Sequence, residues 1–116
     1  TLAARDRVQS IRDLNNVGSK LFCDLIDFFS ESQKKAFGWE APPIHDVLNV
    51  VYLADPGVLT FLECAVKVDI VPGVNYGRTV CDLNHAWKDM PKVKVADVLD
   101  KDKFWNIIKS AIALYG

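Results

Sequence analysis

Leu62–Ile70 reads LECAVKVDI. Leu62, Cys64, Val66, Val68 and Ile70 alternate there with Glu63, Ala65, Lys67 and Asp69. Successive side chains of a strand point to opposite faces, so this period of two predicts a β-strand with one buried face. The stretch decides the fold class, because everything before it repeats at helical spacing. Downstream, VPGVNYGR (Val71–Arg78) is a loop and Thr79–Leu83 a second strand antiparallel to the first. Val93, Val95 and Ala96 predict a short third strand. Asp100 or Asp102 then caps a last helix with an apolar stripe of Phe104, Ile108, Ala111, Ile112 and Tyr115, and Trp105 beside it.

Working back from the strand, Thr1 is a candidate cap for a first helix on which Ala4, Val8, Ile11 and Leu14 share a face. Asn15, Asn16 and Gly18 end it. A second helix is predicted over about residues 19–36, with Leu21, Phe22, Leu25, Ile26 and Phe29 as its apolar face. Gly38, Pro42 and Pro43 interrupt the helical pattern. A third helix fits Val47–Ala54, and DPG at Asp55–Gly57 marks a turn. The reading is α/β: three N-terminal helices, a small group of strands and a C-terminal helix. The strands are too few to cover the helices, so residues 1–116 read as one segment of a larger open-sheet domain. On its own the segment is expected to fold poorly and to pack against another polypeptide segment with parallel strands.

Composition narrows the function classes. The 116 residues are half hydrophobic and one quarter charged, with a net charge of -1. That balance argues against electrostatic binding to nucleic acid or membrane. No apolar run reaches the length of a bilayer span. Cys23, Cys64 and Cys81 are odd in number, widely spaced and set in apolar surroundings. They read as buried thiols of a cytoplasmic protein, not as a zinc or disulfide framework.

APPIHDV, Ala41–Val47, carries the clearest chemistry. Two prolines stiffen the approach to a His-Asp pair at a helix start. In one reading Asp46 is simply the cap, Ile44 staples onto the first turn and His45 is a partly buried histidine with no task. In the other, the Asp46 carboxylate binds a hard cation and His45 delivers a proton to a leaving group, since imidazole titrates near neutrality. A single carboxylate does not complete a calcium site, so further ligands must come from elsewhere.

PPIHDVLNVVYLADPGVLT resembles the C-terminal signature of the inosine–uridine-preferring nucleoside hydrolases, in which a His-Asp-Pro motif opens a helix that ends in a DP turn. The similarity continues through ECAVKVDI, then through YGRTVCD against a Gly-x-Thr-Val-x-Asp pattern, and closes on DKDKFWNIIKSAI against an Asp-x-x-Lys-Phe-Trp last helix. It covers nearly the whole chain. The resemblance implies calcium-dependent hydrolysis of the N-glycosidic bond of ribonucleosides to ribose and free base, in purine and pyrimidine nucleoside salvage. It assigns proton donation to His45 and one calcium ligand to Asp46.

The chain departs from the family pattern in several places. The family's Asp-x-Asp-x-x-x-Asp-Asp cluster has no counterpart. Asp97, Asp100 and Asp102 have the wrong spacing and read as strand-end and cap residues. Val47 stands where the family usually has proline, which should soften the helix start. Where relatives often carry tyrosines over the base, this chain offers Phe37 and Trp39, as stacking surfaces or as packing. Arg78, His85, Trp87, Asn49 and Asn75 read as loop or surface residues. The expectation is therefore the C-terminal portion of a nucleoside hydrolase, inactive alone. Its partners would be a ribonucleoside, the N-terminal part bearing the acidic cluster and, when complete, further copies of itself. The alternative is a truncated, non-catalytic relative that serves as an assembly module.

Overall fold

The computed structural model describes residues 2–116. Its elements run α1 (Arg5–Arg12), α2 (Val17–Phe37), α3 (Asp46–Ala54), a 3-10 turn (Pro56–Val58), β1 (Leu59–Val68), β2 (Thr79–Cys81), β3 (Lys92–Leu99) and α4 (Lys101–Ala113). The α/β reading and the element order hold. The described residues form two compact units, residues 2–58 with 99–116, and residues 59–98.

The first unit is helical. α1 packs on α2 and α4, and α3 packs on α4. Its core is Val8 and Ile11 of α1, Cys23 and Ile26 of α2, Val51 of α3, and Phe104, Trp105 and Ile108 of α4. The expected Thr1 cap lies outside the described residues; Ala4 occupies the cap position of α1. α2 starts earlier than its periodicity indicates, because Asn16 and Ser19 build a capping box. The Asn16 Oδ1 accepts from the Ser19 N–H at 2.7 Å, and the Ser19 hydroxyl accepts from the Asn16 N–H at 2.9 Å. Asn16 Nδ2 also donates to the Ile112 carbonyl at 2.9 Å, tying the start of α2 to the end of α4.

The expected buried face of α2 is rotated. Ser19, Cys23 and Ile26 point inward, whereas Leu21 and Leu25 are 62% and 60% exposed. α2 is apolar around more than one stripe, and the inward stripe is the one that meets α1 and α4. Val17, Phe28, Val50 and Leu53 are exposed as well. α4 follows expectation: Asp100 caps it, its carboxylate accepting from the Lys103 N–H at 3.0 Å. Only the first half of its stripe is buried, and Tyr115 is exposed.

The second unit is a three-stranded sheet in the order β2-β1-β3. β1 and β2 are antiparallel, with Val66 opposite Cys81, Lys67 opposite Val80 and Val68 opposite Thr79. β1 sits two to three residues earlier than its alternation indicates. Cys64 and Ala65 are both buried, while Val68 and Ile70 are exposed, so the strand is covered on both faces at its middle and on neither at its end. β2 is shorter than expected because the chain turns at Asp82. That carboxylate accepts from the Ala86 N–H at 3.0 Å and the Trp87 N–H at 2.6 Å. The Trp87 amide, more than any other group, holds the Asp82 carboxyl below its ordinary range against the opposing effect of burial. Lys67 Nζ lies 4.6 Å from the Trp87 ring centroid. Cys23 and Cys64 are buried free thiols, and burial raises both; Cys81 is half-buried.

Candidate active site

His45 and Asp46 stand together at the mouth of α3. The approach to them is held by backbone bonds: the Ala3 N–H donates to the Pro42 carbonyl at 2.9 Å, and Leu2 and Pro43 form an antiparallel bridge. Pro42 and Ile44 are buried, so the segment enters the helix anchored on both sides of the second proline. His45 occupies the cap position with φ -86 and ψ -44, already wound as helix, and its side chain makes no cap hydrogen bond. Asp46 is therefore the first helical residue and not the cap. Either site favours a carboxylate, since both lie at the positive end of the helix dipole.

The partly buried histidine of the first reading is not what the structure shows. Both His45 and Asp46 are exposed, and among the described residues neither side chain has a hydrogen bond or ion pair. A capping residue spends its oxygen on a backbone N–H, whereas Asp46 keeps its carboxylate available. One exposed carboxylate fits one ligand position around a hard cation. Calcium takes about six to eight oxygens. Among the described residues no group of three or more His, Cys, Asp or Glu side chains is placed to hold a metal.

Phe37, the last residue of α2, and Trp39, just past its end, are brought together. Gly38 caps the helix at φ 71, a left-handed turn that glycine adopts without strain. The turn stacks the two rings, with centroids 5.1 Å apart and planes at 29°. Both remain exposed, so the outer face of the pair is open. Trp39 borders a cavity of about 360 Å³ between α1 and α2, which neither His45 nor Asp46 lines. The cations around it are already paired: Arg5 with Glu40 at 3.6 Å, Lys34 with Glu40 at 3.2 Å and Arg12 with Asp27 at 2.8 Å.

Asp97 lies in β3, Asp100 caps α4 and Asp102 lies in the first turn of α4, paired with Arg7. Asp97 and Asp100 thus stand as strand and cap residues, whereas Asp102 is not the cap but a first-turn residue in an ion pair. Arg78 and His85 are exposed loop residues, whereas Trp87 is half-buried. The sequence carries no signal for Asp82 as organiser of its loop, because its partners are the backbone amides of Ala86 and Trp87.

The family model of the inosine-uridine preferring nucleoside hydrolases matches residues 1–106. The chain belongs to this family. The pyrimidine-specific ribonucleoside hydrolase RihB of Escherichia coli (strain UMN026) is 29% identical over 115 residues, which cover 99% of this chain and 37% of that protein. A purine-preferring ribonucleoside hydrolase from Gardnerella vaginalis superposes with a TM-score of 0.74 at 28% identity, over 99% of this chain and 36% of its own. A plant nucleoside hydrolase, the PpNRh1 enzyme, gives a TM-score of 0.75 over 91% of this chain and 36% of its own, and at 24% identity it bears on the fold alone. The chain thus spans little more than a third of the length of these nucleoside hydrolases.

Proposed function

We propose that these 116 residues are the C-terminal part of a calcium-dependent ribonucleoside hydrolase, in which His45 protonates the departing base and Asp46 supplies one calcium ligand. The observation that carries the reading is the pair itself: two adjacent, exposed, unengaged side chains at an anchored helix mouth. In the hydrolysis, water adds to the anomeric carbon, the bond to the base nitrogen breaks, and the base leaves with a proton. The rigid Pro-Pro approach orients the His45 ring so that it can give that proton. Calcium, when bound, would hold the ribose hydroxyls and the attacking water. The remaining oxygen ligands and the base that activates the water would come from the N-terminal part of the enzyme. The Phe37–Trp39 pair offers an open aromatic face for a nucleobase. The same reading makes the complete protein a cytoplasmic oligomer in nucleoside salvage.

The test compares two substrates in the complete enzyme. His45→Ala should slow hydrolysis of a nucleoside whose base leaves poorly by about 10²–10⁴-fold. It should hardly slow a nitrophenyl riboside, whose leaving group departs without a proton. Equal losses on both substrates would reduce His45 to a structural residue and favour the assembly-module reading.

A further inference from the structure

α3 carries the His-Asp pair at its first turn and packs on α4 and the 3-10 turn. Val51 is its one buried residue. Its far end is also held by polar contacts. Asp55 closes the helix, its N–H donating to the Val51 carbonyl at 2.9 Å. The Asp55 carboxylate is gripped twice: Lys103 Nζ lies 2.8 Å from Oδ2, and the Gly57 N–H donates to Oδ1 at 2.9 Å. The space for this contact exists because residue 57 has no side chain. A Cβ there would fall 2.8 Å from Lys103 Nζ and 3.1 Å from Asp55 Oδ1. One residue further, the Val58 carbonyl accepts from the Asp100 N–H at 2.9 Å, where α4 begins. α4 is anchored in the core of the unit through Phe104, Trp105 and Ile108.

We propose that Lys103, Asp55 and Gly57 form a clamp that fixes the far end of α3 to α4 and thereby positions His45 for proton transfer. They are positioning residues, remote from the reacting atoms, and the inference rests on the catalytic reading of His45 given above. Lever geometry makes the clamp matter. At 1.5 Å per residue the helix is a rod roughly 14 Å long, so a tilt of about 4° at one end moves the other by about 1 Å. A displacement of that size can cost on the order of 10² in rate. The Ala3–Pro42 bond and the Leu2–Pro43 bridge hold the chain two to three residues before His45 and leave the helix mouth itself free to shift, so the clamp supplies the second fixed point. The Lys103 contact, ahead of the Gly57 amide, also holds the Asp55 carboxyl below its ordinary range.

The experiment is a double-mutant cycle in the complete enzyme, measuring kcat and KM on a natural nucleoside. Lys103→Met should lower kcat by about 10-fold with KM little changed when His45 is present, and by less than about 2-fold in a His45→Ala background. Lys103→Arg should restore most of the loss. Asp55→Asn keeps the acceptor for the Gly57 N–H but breaks the ion pair from its other side, and should repeat the pattern. Deuterium uptake at the amides of residues 46–49 should rise in Lys103→Met and fall back in Lys103→Arg. An equal fold-loss in both backgrounds, no loss at all, or unchanged uptake overturns the clamp. Full activity in His45→Ala alone would overturn the catalytic reading instead, and the role of the clamp with it.

Discussion

Gly18→Ala sets two opposing effects against each other, and the structure decides the sign. Gly18 is the second residue of α2, where alanine would ordinarily gain about 0.5–1 kcal/mol from helix propensity. Here the added Cβ would meet Tyr115 Cβ at 2.8 Å, with the Ile112 carbonyl oxygen at 3.4 Å and Ile112 Cγ2 at 3.5 Å. The obstructing atom belongs to the main-chain end of Tyr115 and cannot rotate away, and the Gly18 N–H faces the Tyr115 carbonyl at 3.4 Å. Making room requires the end of α4 to move, and overpacking of this kind costs about 1–3 kcal/mol. The balance is a net loss of about 1 kcal/mol, seen as a melting temperature lower by a few degrees in calorimetry. Tyr115→Gly removes the obstructing Cβ. In that background Gly18→Ala should be neutral or stabilising. A Gly18→Ala protein that melts higher than the parent, or the same cost in both backgrounds, would refute the close approach of α2 and α4.

Three further outcomes follow from the same kind of argument. The Asp82 carboxyl is depressed in the folded state, so its stabilising effect is present above the unfolded value of about 3.9 and is lost as pH falls through the lower folded value. Asp82→Asn should therefore destabilise the loop at neutral pH but match the parent once the pH has fallen below the lowered folded value, and proteolysis of residues 82–90 from neutral to acid pH would show it. Asn16→Ala removes the cap of α2 and the bond to Ile112, for a loss of about 2 kcal/mol in chemical denaturation. Asn16→Asp, which keeps the cap oxygen and loses the Nδ2 donor, should fall between the two. Asp46→Ala in the complete enzyme should weaken calcium binding in a titration while leaving the melting temperature of the calcium-free protein within a degree or two. Unchanged calcium affinity would remove Asp46 from the site.

Much of this chain is decided locally. The switch from helical to alternating periodicity near Leu62, the Asp100 cap and the turn at Asp55–Gly57 each depend on residues a few positions apart, and the structure places them there. The same holds for the helix mouth at His45–Asp46, because prolines and a following apolar run specify a helix start without help from the rest of the molecule. What the chain could not decide locally is which of several equivalent choices is taken. α2 carries apolar residues around much of its circumference, so periodicity fits more than one inward face, and contact with α1 and α4 selects Ser19, Cys23 and Ile26 over Leu21 and Leu25. Asp46 suits the cap and the first helical position almost equally, and the tight winding at His45 assigns it to the second. The Lys103–Asp55 contact joins residues far apart in sequence through a gap that glycine leaves at position 57. Propensity and pattern act over a turn or two of chain, whereas the choice between faces and the meeting of distant charges depend on which surfaces fit together once the helices pack.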